Sequence, residues 1–387
     1  MNGTSALPAV DAVAAAGATS VDVPFLGASA APIGDLLILG AGTLGTLVAA
    51  RWLAAAPSPG SADAPVRVVA ETLTRKRHDR LAALGAVPRT RAEADAVAAA
   101  ADTAPIVDSG GNGNQRFPYV VFSMPPSASD DYTAEAARAV ASWAGPASGG
   151  RLVFTSSTSA LAEKGGATIT ETAPTTTGRV TGAEGVIREA GGVVVRIGGL
   201  HARRVGQQLG LVGKPSLTIP RQLIINMVHY EDAAAAVVAA ARLPLGAPTD
   251  VDGSPFVVTD GVPLTVEELV AATMAHTAFA GSATPALPVD TGVCGKRIDA
   301  IATREALAWE PSCLFRLVAT CRARHFPNDM TVRSYLSEQW SRFRETKFRN
   351  LAMQVASLGL LLSGALIMYK SCMLITNSES PIVVVLR

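Results

Sequence analysis

Residues 35–45 read DLLILGAGTLG and give the first indication of how this chain folds. Four consecutive apolar residues, Leu36–Leu39, end at a glycine, which is typical of a strand buried on both faces of a parallel sheet. A helix is predicted over Thr43–Ala55, because prolines and a glycine follow it within a few residues. A second apolar run, Val66–Ala70, completes a strand–helix–strand unit.

The glycines of this segment have the spacing Gly-x-Gly-x-x-Gly between a predicted strand and a predicted helix. Gly40 permits a tight turn, Gly42 lets a phosphate approach the backbone, and Gly45 lets the helix pack closely on the strand. The first helical turn, with Thr43 and Leu44, offers N–H groups and the positive end of the helix dipole to the phosphates. These five residues predict a dinucleotide-binding turn. The alternative is a glycine-rich turn that binds nothing.

The residues after the second predicted strand select between NAD and NADP in such folds. An acidic residue there binds the ribose 2′-hydroxyl, whereas an arginine accepts a 2′-phosphate. The chain reads AETLTRKRH over residues 70–78. Glu71 falls near the end of the strand, but Thr74 and Arg75 are better placed for a phosphate, so NADP is favoured over NAD. The alternative for the basic residues is a solvated helix start.

Strands and helices alternate along the chain as far as residue 200. Strands are predicted over Tyr119–Ser123, Arg151–Thr155 and Gly192–Ile197, and helices near Lys76–Leu84 and over Thr133–Trp143. This alternation predicts an α/β fold with a doubly wound parallel sheet, a Rossmann domain over 33–200. After Gly198 the elements become shorter, with predicted helices over Tyr230–Leu243 and Leu264–His276 and a strand over Phe256–Thr259. We expect a small α/β substrate lobe over 201–320, interleaved with the Rossmann sheet.

Residues 123–126 read SMPP and follow the third predicted strand. This loop passes under the nicotinamide ribose in such folds, so Ser123 and Pro125 are candidate cofactor contacts. The alternative is that the prolines only terminate the strand.

Composition and charge narrow the class of protein. The chain has 387 residues, of which 49% are hydrophobic and 17% charged, and its 33 Lys and Arg nearly balance 32 Asp and Glu. A net charge of +1 gives no indication of a nucleic-acid partner. The four cysteines have neither metal-ligand spacing nor the pattern of a secreted disulfide framework, which favours a reducing compartment and no metal.

The two ends of the chain differ from its middle. Residues 1–32 are Ala-rich and contain no Lys or Arg, unlike a secretory signal or a mitochondrial presequence, and are predicted to form a disordered leader. Residues 321–387 form a basic linker and a hydrophobic tail. The uncharged run 351–369 approaches the length of about 20 residues that crosses a bilayer. It is predicted to be an added helix that anchors the chain to a membrane, or else a core or oligomer helix.

Four segments, in order, resemble the extended short-chain dehydrogenases and epimerases. RLVFTSSTSALAEKGGATITETAP, Arg151–Pro174, resembles the fifth-strand segment of that family, with Ser157 at the position of its catalytic serine. The later segments are Val193–Ala202, Asn226–Ala241 and Gly295–Ser312. The resemblance covers about residues 34–313 and is greatest to atypical NAD(P)-binding Rossmann members of plants, algae and bacteria. It implies an NAD(P)-binding oxidoreductase or epimerase.

The sequence departs from the family at the proton-transfer pair Tyr-x-x-x-Lys. The lysine of that pair lowers the tyrosine pKa, so that the phenol exchanges a proton with substrate near neutral pH. Residues 175–192 contain no tyrosine and no lysine. Alignment puts Thr176 and Val180 at the two positions, with Arg179 beside them. A threonine hydroxyl, with a pKa far above that of a phenol, does not replace the tyrosine by itself.

Three interpretations stay open. In the first, the protein binds the dinucleotide without turnover, as a sensor, scaffold or assembly subunit attached to a membrane by its tail. In the second, it uses another proton donor, which is Ser157, Arg179 or His201. In the third, water is the proton donor and turnover is slow. A substrate would be a small carbonyl, hydroxyl or nucleotide-sugar-like molecule under the second lobe. His229 and Asp232 are interpreted as structural. The resemblance to plant and algal members is compatible with a plastid, although the leader is not typical of a transit peptide; the cytoplasm and a membrane-associated location stay open.

Overall fold

The computed structural model describes residues 33–56, 66–103, 116–202, 205–206, 211–212, 214–244, 246–275, 283–288, 292 and 294–313. The predicted leader, 1–32, and the predicted tail helix, 351–369, lie outside these residues and stay predictions. Within the described part of the chain, no helix has the length and apolar character needed to cross a membrane.

The described strands are, in chain order, β1 (Leu36–Leu39), β2 (Val68–Thr72), β3 (Val87–Thr90), β4 (Tyr119–Phe122), β5 (Leu152–Ser157), β6 (Gly165–Ile169), β7 (Val193–Ile197), β8 (Gly199–Ala202), β9 (Val205–Gly206), β10 (Leu223–Ile225), β11 (Met227–His229), β12 (Phe256–Val258), β13 (Leu264–Thr265) and β14 (Cys294–Ile298). Seven of them form the main sheet, in the order β12-β7-β5-β4-β1-β2-β3. All six neighbouring pairs are parallel. The carboxyl ends of these strands therefore meet at one edge.

The described helices are α1 (Thr43–Ala55), α2 (His78–Ala83), α3 (Arg91–Thr103), α4 (Tyr132–Ser142), α5 (Arg179–Glu189), α6 (Tyr230–Ala241), α7 (Val266–Met274) and α8 (Ile301–Leu307). Helix α1 packs against α6, and α4 packs against α5. Leu37 and Leu39 join the apolar cluster beneath α4 and α5, while Leu36 and Ile38 are buried on the other face. Helices thus cover both faces of the sheet, and the predicted doubly wound Rossmann fold is confirmed.

A second lobe contains two smaller sheets, ordered β13-β10-β14-β6 and β11-β8-β9. Asn226 fixes β14, because its amide donates to the Lys296 carbonyl at 2.9 Å and accepts the Ile298 N–H at 3.0 Å. Glu171 is buried and accepts the backbone N–H and hydroxyl of Thr303 on α8, at 2.9 and 2.6 Å. Strand β12 lies between lobe elements in sequence but joins the main sheet, so the two parts are interleaved.

The structure corrects the predicted elements at several places. The predicted helix Leu264–His276 is α7, Val266–Met274, and its first two residues form β13 instead. Strand β3 was not predicted, because its residues VPRT include a proline and an arginine and have no apolar alternation; such a strand is tolerated at a sheet edge. Strand β2 extends two residues past the predicted Val66–Ala70, so Glu71 lies within it. The predicted helix Lys76–Leu84 begins with a 3₁₀ turn, and its α-helical part is His78–Ala83.

Candidate functional site

The glycine turn connects β1 to α1 at the carboxyl edge of the main sheet. Gly40 has φ of +90°, and a Cβ added there would lie 2.6 Å from the Met124 nitrogen. The N–H groups of Gly40 and Ala41 donate to the Glu71 carbonyl at 3.1 and 2.8 Å. A Cβ at Gly45 would lie 3.0 Å from the Gly40 oxygen. Strand β2 and the loop after β4 therefore fix the turn, and neither glycine has room for a side chain.

Gly42 differs from these two glycines because the space beside it is open. A Cβ there would meet nothing closer than the Gly40 oxygen, at 3.9 Å. Gly42 is the N-cap of α1, and no side chain caps this helix. Gly42 is exposed, and the first helical turn, with half-buried Thr43 and buried Leu44, follows it with no side chain capping its N–H groups. This is the arrangement that holds a phosphate at a helix N-terminus.

Glu71 does not fit the role of an NAD-selecting carboxylate. Its side chain is buried in β2, with 2% of its surface exposed. Arg89 donates to Oε2 from Nη2 and Nε, at 3.0 and 3.2 Å, and Arg138 donates to Oε1 at 2.7 Å. A ribose hydroxyl would have to compete with these charge-assisted hydrogen bonds, which use both carboxylate oxygens.

The basic segment after β2 lies beside the glycine turn. An exposed 3₁₀ turn follows Thr74, which is itself exposed. Arg77 donates from Nη1 to Oγ1 of Thr43, at 3.3 Å. Arg75 forms an ion pair with Glu93 on α3 instead. The sequence favoured Arg75 as the phosphate ligand, but the structure brings Arg77 to the first turn of α1.

The loop after β4 contacts the glycine turn. The Ser123 N–H donates to the Leu39 carbonyl at 2.8 Å, which continues the pairing of β1 with β4. The Met124 backbone is what a side chain at Gly40 would strike. Pro125 follows it and is exposed. Ser123 and Pro125 therefore lie at the same sheet edge as the glycine turn.

Ser157 ends β5, next to β4, at this edge. Its Oγ accepts the Ser159 N–H at 3.1 Å, and its side chain is half-buried. Lys296 of β14 donates from Nζ to the Thr158 carbonyl at 3.1 Å and to the Leu161 carbonyl. Sequence reasoning missed Lys296, which is remote in the chain. The only signal was a Lys-Arg pair inside one of the segments that resemble the family.

The two positions predicted to replace the family's tyrosine and lysine, Thr176 and Val180, form no acid–base pair. The hydroxyl and N–H of Thr176 both donate to the Ala160 carbonyl, at 3.3 and 2.8 Å. Val180 is apolar and lies in the first turn of α5. The Arg179 guanidinium donates to two backbone carbonyls in the loop before α4. Thr176 and Arg179 thus tie loops together.

A buried charged cluster lies next to Ser157, and sequence reasoning missed it as well. Ser156 Oγ donates to Glu184 Oε1 at 2.5 Å. Arg196 donates from Nε to Oε1 at 2.9 Å and from Nη2 to Oε2 at 2.7 Å. Both charged residues are more than nine-tenths buried. The cluster joins α5 to β5 and β7, and no local pattern marks either charged residue as buried.

The polar residues His201, His229 and Asp232 of the second lobe hold the structure together. His201 is buried, and its ring lies edge-to-face with His229, 5.2 Å between centroids. Burial, and then His229, lower the pKa of His201 to about 3, so its ring is neutral near pH 7 and is not a cationic acid. His229 caps α6. Asp232 accepts the Ser312 hydroxyl at 2.6 Å and the Cys313 N–H at 2.8 Å.

Metal ligation has no support in the described part of the chain, where no group of three or more His, Cys, Asp or Glu could hold an ion. A cleft of about 330 Å³ lies along α5 and is lined by Thr181, Arg188 and Ser254, among others. It shares no residue with the glycine turn or the basic segment. The backbone geometry at the glycine turn, rather than this cleft, identifies the candidate site.

Known structures share this fold. WbmG from Bordetella bronchiseptica, solved with NAD and UDP, has a TM-score of 0.53 and 18% identity, covering 77% of this chain and 94% of that one. Its complex with NAD gives 0.52 at the same identity and coverage. A conserved protein of unknown function from Silicibacter pomeroyi has a TM-score of 0.50 and 18% identity, covering 74% and 96%. No family model and no curated protein matches the sequence. The similarity confirms the Rossmann fold with its second lobe.

Proposed function

We propose that this chain is an NAD(P)-binding protein of the extended short-chain dehydrogenase type, with the diphosphate resting on Gly40, Gly42 and Gly45. The observation that carries the proposal is the open space at Gly42 beside the uncapped first turn of α1. Two packed glycines fix the turn, and the third leaves its backbone accessible, which is what a diphosphate needs. The complex of WbmG with NAD supports the proposal.

NADP(H) is the preferred dinucleotide in this proposal. The carboxylate of Glu71 is already bonded by two arginines, so it is not available to select the 2′-hydroxyl. Arg77 lies against Thr43 at the glycine turn and is exposed, where a 2′-phosphate would pair with it. Thr74 precedes the same 3₁₀ turn, while the charge of Arg75 is neutralised by its pair with Glu93.

Calorimetric titration of the whole chain with NADP⁺ and NAD⁺ tests binding and preference separately. We expect NADP⁺ to bind about ten times more tightly, and Arg77→Met to remove that difference, since a hydrogen bond to a charged group contributes about 1.5–3 kcal/mol. Arg75→Met is the matched control and should have a smaller effect. If neither dinucleotide binds, the proposed function is wrong; equal binding of the two would overturn only the preference.

The reaction class that the fold supports is hydride transfer, as in an oxidoreductase or epimerase, which a bound dinucleotide would supply. We place the substrate under the lobe of residues 201–320, against the Rossmann domain of 33–200. Ser157 is the proton donor best supported by position, because it ends β5 and its Oγ accepts a hydrogen bond, which leaves its own proton to donate. Arg179 is the weaker candidate, since its guanidinium already holds two carbonyls.

A second candidate function is dinucleotide binding without turnover, in a sensor or assembly protein. The observation in its favour is that Thr176, at the tyrosine position, donates its hydroxyl to the Ala160 carbonyl. Incubation with NADPH and a panel of aldehydes, ketones and UDP-sugars separates the two candidates. Oxidation of NADPH or epimerised sugar, lost in Ser157→Ala, supports an enzyme. Tight binding with no product from any member supports the silent protein.

A further inference from the structure

One peptide group connects Lys296 to Ser157. The Thr158 carbonyl accepts a hydrogen bond from Lys296 Nζ at 3.1 Å. The Ser159 N–H belongs to the same peptide and donates to Ser157 Oγ, also at 3.1 Å. The ammonium therefore lies on one side of this peptide and the serine oxygen on the other, although the two side chains come from different sheets.

A cation on a carbonyl oxygen polarises the whole peptide. Hydrogen bonds in a chain strengthen one another in this way, and the effect is larger away from bulk water. A more polarised peptide has a stronger N–H donor, which stabilises negative charge on the oxygen that accepts it. At Ser157 this makes the O–H group more acidic.

We propose that Lys296 is a positioning residue that activates Ser157 through the 158–159 peptide, in place of the lysine that the family carries on α5. This rests on the proposed enzymatic function. The Ser157 O–H bond would break as its proton passes to a substrate carbonyl oxygen, and a bound dinucleotide would supply the hydride that the carbonyl carbon takes up. Water then returns a proton to Ser157. The second lobe thus contributes a charge to the site at the end of β5.

Two backbone carbonyls hold the Lys296 ammonium, while burial and charged neighbours act on its pKa. Glu163, Lys164 and Arg196 are the charged groups that face it. Burial lowers the pKa of Lys296, Glu163 opposes this, and the two cations lower it further. The Leu161 carbonyl accepts a second hydrogen bond from Nζ, and the main chain of β14 is itself held by Asn226.

Sulfonylation by phenylmethylsulfonyl fluoride tests the activation of Ser157 without a known substrate. The serine oxygen forms a bond to sulfur, fluoride leaves, and the serine proton goes to water, so the rate reports how readily Ser157 loses its proton. Peptide mass spectrometry of the whole chain resolves Ser157 from the exposed neighbour Ser159. We expect Ser157 to react at least tenfold faster than Ser159.

The variants separate charge from structure. Lys296→Met and Lys296→Gln should slow labelling of Ser157 at least tenfold, and Lys296→Arg should stay within about threefold of the parent. Arg297→Met is the matched control with no change expected, because Arg297 donates to the Gly166 carbonyl, outside the 158–159 peptide. Thermal unfolding identifies any variant that fails to fold, in which case the other two variants at Lys296 carry the test.

Two results overturn the inference: equal labelling of Ser157 and Ser159 in the parent, or equal rates in the parent and the folded Lys296→Met or Lys296→Gln. Calorimetry with NADPH on the same samples keeps the two proposals apart. Dinucleotide binding with unactivated Ser157 rejects this inference alone, whereas an activated Ser157 in a chain that binds no dinucleotide rejects the proposed function.

Discussion

The glycine turn and the end of β5 lie at the same sheet edge, but their polar groups are used differently. At the glycine turn, the space beside Gly42 is open and no side chain caps the helix that follows. At the end of β5 and the start of α5, polar side chains bond one another or the backbone, as Thr176 does with Ala160 and Glu184 with Arg196. The first arrangement suits a ligand, and the second holds elements together.

This difference indicates that a dinucleotide-binding turn and an acid–base pair are independent features of the fold. The dinucleotide turn depends on β1, α1 and their spacing, whereas the acid–base pair of the family depends on the first turn of α5. A chain can therefore have the first without the second. Our proposals accordingly assign the chemistry to groups outside α5, Ser157 and Lys296.

The largest expected effect is on the stability of the fold, at the buried pair of Glu184 and Arg196. Glu184→Gln removes the charge that pairs with buried Arg196 and should lower the free energy of unfolding by about 3–5 kcal/mol, as for other broken buried ion pairs. Urea unfolding measures it, with exposed Glu189→Gln on the same helix as the control. Affinity for NADPH should persist in the folded fraction. A loss below 1 kcal/mol would mean that the cluster contributes little to the fold.

The next largest effect is on dinucleotide binding, at the glycine turn. Gly42→Leu should fold normally, because the chain leaves space for a side chain there, but should weaken NADP⁺ binding at least 100-fold, about 2.7 kcal/mol, by blocking the diphosphate. Gly40→Ala should instead lower the melting temperature, since the φ of +90° at Gly40 and the Met124 backbone exclude a side chain. If calorimetry shows that Gly42→Leu binds NADP⁺ as tightly as the parent, the glycine turn is not part of the binding site.

The smallest expected effect is a pH dependence of the free energy of unfolding, caused by His201 in the second lobe. Burial lowers the pKa of His201 to about 3, against 6.5 in the unfolded chain, so the unfolded state binds the proton first. Stability is then complete above pH 6.5 and is lost as the pH falls toward 3. Between pH 7 and pH 5 we expect a loss of about 2 kcal/mol, absent in His201→Asn. Urea midpoints at both pH values measure it. A slope that is the same in parent and variant would assign the acid sensitivity to other groups.

Much of the fold was predictable, because its signals are local. Apolar runs such as Leu36–Leu39 and the turn glycines predicted the strands and the doubly wound sheet. Strand β3 was not predictable in this way, because an edge strand needs little hydrophobic pattern. At the candidate site, the sequence predicted the glycine turn and Ser157. It did not predict the contact of Arg77 with Thr43 or the pair of Glu184 with Arg196.

By itself, the sequence determined the strand–turn–helix unit, the missing tyrosine and lysine, and the alternation that builds a parallel sheet. These properties depend on residue type and on spacing over a few positions. Only the tertiary structure decided that Glu71 is bonded by two arginines and that Lys296 reaches the peptide beside Ser157. Such contacts join residues far apart in the chain, and their partners depend on strand order, register and packing, which no local pattern encodes.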